Sequence, residues 1–206
     1  MIACLDLEGV LVPEIWINVA EKTGIEELRL TTRDIPDYDV LMKRRLQILD
    51  QHQLKLQDIQ EVIATMGPLA GAADFLHWLQ SEFQVIILSD TFYQFAAPLM
   101  KQLHFPTLFC HDLKIDTAGK IIDYRLRLKD QKRETVKKFK DLNFKVTAAG
   151  DSYNDIGMLE AADIGILFCP PEKITKEYPQ FPVTENYAQL KAAFQKAAKQ
   201  LAAAER

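Results

Sequence analysis

The 206-residue sequence has few of the features that mark membrane-spanning or nucleic-acid-binding proteins. No run of apolar residues approaches the roughly 20 that a helix needs to cross a bilayer. The net charge is −4, so the chain has no overall positive field for nucleic acid or for an anionic membrane. We therefore predict neither partner, and we expect any anionic substrate to be bound by a few local cations.

Cysteine and histidine are also scarce. The three cysteines, Cys4, Cys110 and Cys169, are scattered and odd in number, which does not suit a disulfide framework. The apolar stretch at the N-terminus is interrupted by Asp6 and Glu8 and does not read as a signal peptide. Both observations predict a reducing, cytoplasmic location. The four histidines lack the spacing of metal ligands, and we interpret them as structural or surface residues. They are His52, His77, His104 and His111.

Hydrophobic residues make up 48% of the chain, which is enough for a sizeable core. Short apolar, β-rich runs alternate with helical patterns along most of the sequence. These runs span residues 2–6, 85–89, 107–110, 145–149 and 164–168. Near-continuous apolar strands separated by helices are typical of a parallel sheet covered on both faces. The sequence therefore predicts a doubly wound, Rossmann-like α/β fold.

Residues 13–67 interrupt this alternation. They show helical patterns and no convincing strand, and Gly67-Pro68 is a plausible return to the sheet. We therefore predict a small all-helical cap at 13–67, inserted after the first strand into a core formed by 1–12 and 68–206. Residues 113–128 alternate polar and apolar positions, as in a β-hairpin, and the C-terminal segment keeps the spacing of an amphipathic helix.

The stretch IACLDLEGVLV at residues 2–12 carries the strongest chemical signal. A hydrophobic strand leads into Asp6 and Glu8, which would point to the same side if the extended conformation continued. Two acids at this distance repel each other unless a cation or a shared proton stabilises them. Gly9 allows a sharp turn that brings backbone N–H groups towards an anion. The pattern predicts a nucleophile, a proton-transfer group and a metal.

Polar residues also follow other predicted strands. Ser89, Asp90 and Thr91 end or follow the run at 85–89, where a hydroxyl and backbone N–H groups can bind phosphate oxygens. Lys132 lies at the start of a lysine-rich helix. In open parallel sheets, ligands bind at the carboxyl ends of the strands, so these groups are expected near one another.

The segment GDSYND after the run at 145–149 supplies Asp151, Asn154 and Asp155. Taken alone, each of these features is more often a turn, a helix cap or a solvated charge. Their order along the chain and their placement at strand ends together favour a catalytic site.

The four motifs resemble those of the haloacid dehalogenase superfamily: DLEGV, Ser89, Lys132 and GDSYND. The resemblance covers nearly the whole predicted core. It implies that Asp6 is a nucleophile that becomes an aspartyl-phosphate and that Glu8 is the general acid and base. It also implies that Ser89 and Lys132 bind the transferred phosphoryl group.

The resemblance further implies a Mg²⁺ site. Its ligands would be Asp6, the backbone carbonyl of Glu8 and Asp151, with Asp155 supporting the site. Magnesium prefers oxygen ligands and retains several waters, so a few carboxylates suffice. The proposed acid-base role of Glu8 requires a pKa nearer neutrality than that of a free carboxyl group.

The predicted cap indicates the substrate class. The chain resembles phosphoserine phosphatases, and especially their ThrH-type branch, which couples phosphoserine dephosphorylation to phosphorylation of homoserine. By resemblance, Glu14 would bind the substrate ammonium and Arg45 its carboxylate, and Tyr38 and Asn154 would lie near the substrate. The alternative is that Arg45 is a solvent-exposed charged residue on a helix and does not bind substrate.

Two departures from typical phosphoserine phosphatases matter. The second acid of the first motif is Glu8 rather than Asp, which matches the ThrH-type pattern and favours an alcohol over water as phosphoryl acceptor. The second motif is SDT rather than a serine followed by glycines. Asp90 therefore brings a side chain towards the phosphate or acceptor site, or caps a helix.

Three alternatives stay open at this point. The chain could be a phosphatase of the same superfamily for another small phosphometabolite, a dehalogenase that needs no Mg²⁺, or a catalytically silent binding protein. Glu8 and the acidic GDSYND loop count against dehalogenation, and the presence of all four motifs counts against a silent protein. The sequence does not indicate an oligomeric state.

Overall fold

The computed structural model describes residues 1–31, 34–35 and 37–204. Within these residues the strands form one seven-stranded sheet in the order β4-β3-β2-β1-β5-β6-β7. All neighbouring strands are parallel except β3 and β4, which are antiparallel. The strands are β1 (Ile2–Leu5), β2 (Gln84–Phe92), β3 (Thr107–Ile115), β4 (Ile121–Arg125), β5 (Val146–Gly150), β6 (Ile164–Phe168) and β7 (Val183–Thr184).

Helices flank the sheet and connect its strands. They are α1 (Ile15–Thr23), α2 (Tyr38–Gln51), α3 (Leu56–Ala64), α4 (Ala72–Glu82), α5 (Tyr93–Gln102), α6 (Gln131–Asp141), α7 (Ile156–Ala161), α8 (Glu172–Glu177) and α9 (Tyr187–Ala203). Local signals fix several ends: the side chain of Asp37 accepts a hydrogen bond from Val40 N and begins α2, and Asn186 accepts from Gln189 N and begins α9.

The central strand β1 shows why the sheet is covered on both faces. Its residues alternate between two hydrophobic cores, because successive side chains of a strand point to opposite sides. Ala3 and Leu5 belong to the core that includes α4 and α9, whereas Ile2 and Cys4 belong to the core that includes α6, α7 and α8. All four residues are buried. The predicted doubly wound α/β fold is confirmed.

The described part of residues 13–67 contains α1, α2, α3 and a short 3₁₀ helix at Glu26–Arg29, and no strand. The division into a cap at 13–67 and a core at 1–12 and 68–206 remains a prediction. Positions 32, 33 and 36 of the predicted cap and positions 205 and 206 of the predicted core lie outside the described residues. None of the helices that the structure describes is long and apolar enough to cross a membrane.

Two strands are longer than the sequence predicts. β3 continues to Ile115 and pairs with β4, which confirms the hairpin. β2 continues through Ser89 to Phe92, and its register with β3 shifts between Leu88 and Phe92. This β-bulge places the second motif within the strand rather than after it. The sequence patterns did not predict β7 or α8.

Candidate active site

The site lies at the carboxyl ends of the three central strands. Asp6 directly follows β1, Asp151 directly follows β5, and the bulge of β2 carries Ser89. Because β2, β1 and β5 are adjacent and parallel, these ends meet at one edge of the sheet. Asp6, Ser89 and Asp151 are all buried there.

Lys132, in the first turn of α6, joins two of the acids. Its Nζ lies 2.7 Å from Oδ1 of Asp6 and 2.7 Å from Oδ1 of Asp155, and its side chain is only 2% exposed. The other oxygen of Asp155 accepts hydrogen bonds from the backbone N–H groups of Asp151 (3.0 Å) and Ser152 (3.1 Å). Both oxygens of Asp155 are therefore engaged, which favours a supporting role.

The acids form a site that fits a divalent cation. Asp6, Asp151 and Asp155 are buried, and each places a carboxylate oxygen within 4.8 Å of the others. Burial, followed by the charge of Asp155, raises the pKa of Asp6 well above its ordinary value, and Lys132 offsets only part of this effect. Three carboxylates against one ammonium leave an excess of buried negative charge. An all-oxygen set of this kind suits Mg²⁺.

Gly9 packs directly against one of these acids. Its φ is +79°, and a Cβ atom at this position would lie 2.5 Å from Cγ of Asp151. Such a distance is far below van der Waals contact. Only glycine allows the turn after the first motif to approach the carboxylate this closely.

Replacing Gly9 with alanine is expected to displace Asp151 and to lower catalytic activity by at least about tenfold, since misplacing one reacting group by 1 Å costs up to about 10²-fold. The matched control is Gly24→Ala, because Gly24 has a similar φ of +71° and no atom within 4 Å of an added Cβ. Gly24→Ala is expected to lose about 1 kcal/mol of stability and to keep its activity. Equal activity losses in the two variants would contradict this account.

Glu8 does not follow the extended path that the sequence suggests. β1 ends at Leu5, and the carboxylate of Glu8 accepts a hydrogen bond of 2.8 Å from the backbone N–H of Ile15, the first residue of α1. Burial, and then the charge of Glu14, raises the pKa of Glu8 to about 8. A carboxyl group with this pKa is largely protonated at pH 7 and can donate a proton. The contribution of its backbone carbonyl to a metal site remains a prediction.

A cavity of about 120 Å³ opens beside Asp6 and Glu8. It is lined by every residue predicted to bind substrate except Lys132. These lining residues are Glu14, Tyr38, Arg45, Ser89, Asp90, Thr91 and Asn154. Lys132 instead lines a larger neighbouring cavity of about 1060 Å³, which shares Tyr38, Asp90, Tyr153 and Asn154 with the first.

Arg45 is not a solvated helix charge. It is 6% exposed, it donates a hydrogen bond of 2.8 Å to the carbonyl of Leu30, and its guanidinium lies 4.4 Å from the ring centre of Trp16. Burial lowers its pKa to about 10. Its Nε has no hydrogen-bond partner, and the negative charges of Glu8 and Glu14 offset only part of the effect of burial. A buried cation in this state favours an anionic ligand.

Asp90 connects several parts of the site. Its carbonyl accepts a hydrogen bond from the Tyr38 hydroxyl at 2.9 Å, and its Oδ2 accepts one from the Asn154 amide at 3.0 Å. Burial disfavours the charged form of Asp90, but Lys132, His111 and Asn154 together outweigh it and hold the pKa below its ordinary range. The side chain thus faces the site and does not cap a helix.

Several neighbours of the site carry no clear signal in the sequence, among them Trp16 and His111. Trp16 stacks on Arg45 and lines the smaller cavity; its position two residues after Glu14 was the only available signal. His111, interpreted as a structural or surface residue, has its Nε2 3.6 Å from Oδ1 of Asp90. No spacing in the sequence indicates this contact, because it depends on the pairing of β2 with β3.

This fold and this arrangement of acids, serine and lysine define a class of hydrolase. The sequence profile of the haloacid dehalogenase-like hydrolases matches residues 2–163. The chain therefore belongs to the haloacid dehalogenase-like hydrolase family.

Two curated relatives are similar over nearly the whole chain. The phosphoserine phosphatase ThrH of Pseudomonas aeruginosa is 64% identical over 196 residues, covering 95% of this chain and 96% of the relative. A phosphoserine phosphatase of Pseudomonas syringae pv. tomato is 62% identical and covers 95% and 83%. The fold is also that of a solved phosphoserine phosphatase in the apo form, with a TM-score of 0.73, 22% identity and coverage of 89% and 93%.

Proposed function

We propose that this chain is a Mg²⁺-dependent phosphoserine phosphatase that acts through an aspartyl-phosphate on Asp6 and passes part of its phosphoryl groups to homoserine. The observation that carries the proposal is the buried Lys132 ammonium 2.7 Å from Asp6, because Asp6 lines a cavity whose wall also contains the buried guanidinium of Arg45. The 64% identity to the phosphoserine phosphatase ThrH of Pseudomonas aeruginosa supports phosphoserine as the substrate.

The cavity suits an amino acid that carries a phosphate. Arg45 would bind the substrate carboxylate through its forked N–H groups, and Glu14 would bind the ammonium. Ser89 and Lys132 would bind the phosphoryl oxygens at the other end. A zwitterionic head group needs opposite charges on the protein at a fixed separation, and both charges line this cavity.

In the first step, a carboxylate oxygen of Asp6 attacks phosphorus and the bond from phosphorus to the serine oxygen breaks. Glu8 gives its proton to that leaving oxygen. In the second step, Glu8 takes a proton from water or from the homoserine hydroxyl. The acceptor oxygen then bonds to phosphorus and the bond from phosphorus to Asp6 breaks.

The reaction needs positive charge, because a carboxylate attacks an anionic phosphate. Asp6, Asp151 and the backbone carbonyl of Glu8 would hold Mg²⁺, and the bound ion would neutralise charge that develops on the phosphoryl group. Lys132 contributes a second positive charge in the buried cluster. Asp155 holds Lys132 and the backbone of the loop that carries Asp151.

The experiment that tests this function combines phosphoserine, Mg²⁺ and increasing homoserine, with inorganic phosphate, serine and O-phosphohomoserine measured together. We expect serine release at every homoserine concentration and a rising share of O-phosphohomoserine. Release of phosphate alone would contradict the transfer. Faster turnover of an unrelated sugar, nucleotide or cofactor phosphate than of phosphoserine would favour the alternative phosphatase for another phosphometabolite.

Replacing Arg45 with alanine is expected to raise KM for phosphoserine by roughly 10- to 100-fold, because hydrogen bonds to charged groups contribute about 1.5–3 kcal/mol. The KM for p-nitrophenyl phosphate, which lacks the amino-acid head group, should change much less. The matched control is Arg44→Ala, since Arg44 is the exposed neighbour on the same helix. An equal loss for both substrates would contradict the assignment of Arg45.

We also propose a reducing cytoplasm as the compartment of this enzyme. Its three cysteines are free thiols, and Cys4 and Cys110 are buried in the core. This supports a fold that does not depend on disulfides.

A further inference from the structure

His111 is a buried imidazole beside the phosphoryl site. It lies on β3 directly opposite Phe92 of β2, and it is 3% exposed. Its Nδ1 accepts a hydrogen bond of 3.1 Å from the backbone N–H of Arg127, just after β4. With Nδ1 accepting this hydrogen bond, Nε2 is the ring nitrogen that is left to donate. Nε2 faces Oδ1 of Asp90 at 3.6 Å.

The Asp90 carboxylate lies between His111 on one side and Lys132 on the other. Its Oδ2 accepts a hydrogen bond from the Asn154 amide and is 4.0 Å from Nζ of Lys132. Lys132 already contacts Asp6 and Asp155 at 2.7 Å, so little donor capacity is left for a phosphoryl oxygen. A carboxylate that moved closer to Lys132 would compete directly with phosphate for the remaining capacity.

We propose that His111 is a positioning residue that holds the Asp90 carboxylate away from Lys132 and so keeps the lysine available to the phosphoryl group. His111 attracts one oxygen of Asp90 and Asn154 binds the other. The imidazole is in turn fixed by Arg127 N, by β3 and by the edge-on ring of Tyr38, whose centroid is 6.3 Å away. The inference rests on the proposed function, in which Lys132 binds the phosphoryl group.

The choice of variants separates this role from a simple packing role. His111→Phe retains an aromatic ring of similar size between Tyr38 and Phe92 but has no donor for Asp90. His111→Gln retains a donor at a position similar to that of Nε2. Asp90→Asn removes the negative charge that competes for Lys132 and keeps an oxygen that can accept from Asn154.

The first measurement is calorimetric binding of inorganic phosphate to the full chain with saturating Mg²⁺. We expect His111→Phe to weaken phosphate binding by about tenfold and His111→Gln to stay within about threefold of the unmodified protein. Steady-state kinetics should show the same loss in KM for both phosphoserine and p-nitrophenyl phosphate, with a smaller change in kcat. Melting temperatures report whether each variant is folded.

The second measurement combines the changes. In an Asp90→Asn background, His111→Phe should have less than a twofold effect on phosphate binding, since no carboxylate is left to compete for Lys132. A similar loss in both backgrounds, or equal losses for His111→Phe and His111→Gln, would overturn the inference while leaving the proposed function intact. Failure of the unmodified protein to bind phosphate would overturn both.

Discussion

Replacing Asp6 with asparagine is expected to abolish serine release and O-phosphohomoserine formation together, with a loss of about 10⁴-fold or more in kcat. The amide is almost isosteric but is a very poor nucleophile, so the covalent intermediate does not form. Both outputs should fall equally, because the acceptor matters only after phosphorylation of Asp6. Steady-state assays of all three products measure this outcome.

The same variant is expected to stay folded. In the native cluster, burial and the charge of Asp155 raise the pKa of Asp6, so its ionised form costs stability at neutral pH. Lys132 keeps its contact with Asp155 when Asp6 becomes neutral. The melting temperature in the absence of divalent cation should therefore equal or exceed that of the unmodified protein.

If Asp6→Asn still transferred phosphoryl groups to homoserine but released no inorganic phosphate, the shared aspartyl-phosphate intermediate would be contradicted.

Removing divalent cations is the second change with a very large expected effect. Chelation with EDTA should abolish turnover, and Mg²⁺ should restore it. The reason is that the buried carboxylates of Asp6, Asp151 and Asp155 carry more negative charge than the single ammonium of Lys132 neutralises. Mg²⁺ should also raise the melting temperature. A ligand that binds only the folded state contributes about 2.7 kcal/mol at a concentration 100 times its Kd.

Variants of the acids separate a specific site from a general salt effect. Asp151→Asn should reduce both the Mg²⁺-dependent rise in melting temperature and the activity, since Asp151 belongs to the buried cluster. Asp74→Asn is the control, because Asp74 is exposed in the first turn of α4, outside the cluster. Activity that survives chelation would contradict the metal site and would favour the dehalogenase alternative.

The position of the site could be predicted because it follows from the order of the motifs and from the polarity of a parallel sheet. Asp6 and Asp151 directly follow apolar strands, and strands that are buried on both faces are easily recognised in a sequence. Once these strands lie side by side, the geometry of the sheet brings the two acids together. The alternation of apolar strands and helices was sufficient to expect the two acids at one edge of the sheet.

The contacts around Asp90 could not be predicted in the same way. They depend on the bulge in β2, which changes the register with β3 and brings His111 opposite Phe92. A bulge adds residues to one strand without a clear sequence signal. For the same reason, His111 appeared to be a structural residue.

The path of the chain after β1 was also different from the expectation. Asp6 and Glu8 were expected to project together from an extended strand, but the strand ends at Leu5 and the chain turns at Gly9. The turn allows Glu8 to reach the first N–H of α1. Glu8, the proposed proton-transfer group, therefore contacts the residue next to Glu14, the proposed substrate-binding residue.

The most direct test of the central claim is to trap the phosphoryl group on the enzyme. Phosphoserine labelled with radioactive phosphorus is mixed with the Mg²⁺-loaded enzyme, the reaction is quenched in acid within milliseconds, and the labelled peptide is identified. We predict label on the peptide that contains Asp6, its loss on addition of homoserine, and no label in Asp6→Asn. Label on another residue, or full turnover by Asp6→Asn, would contradict the account.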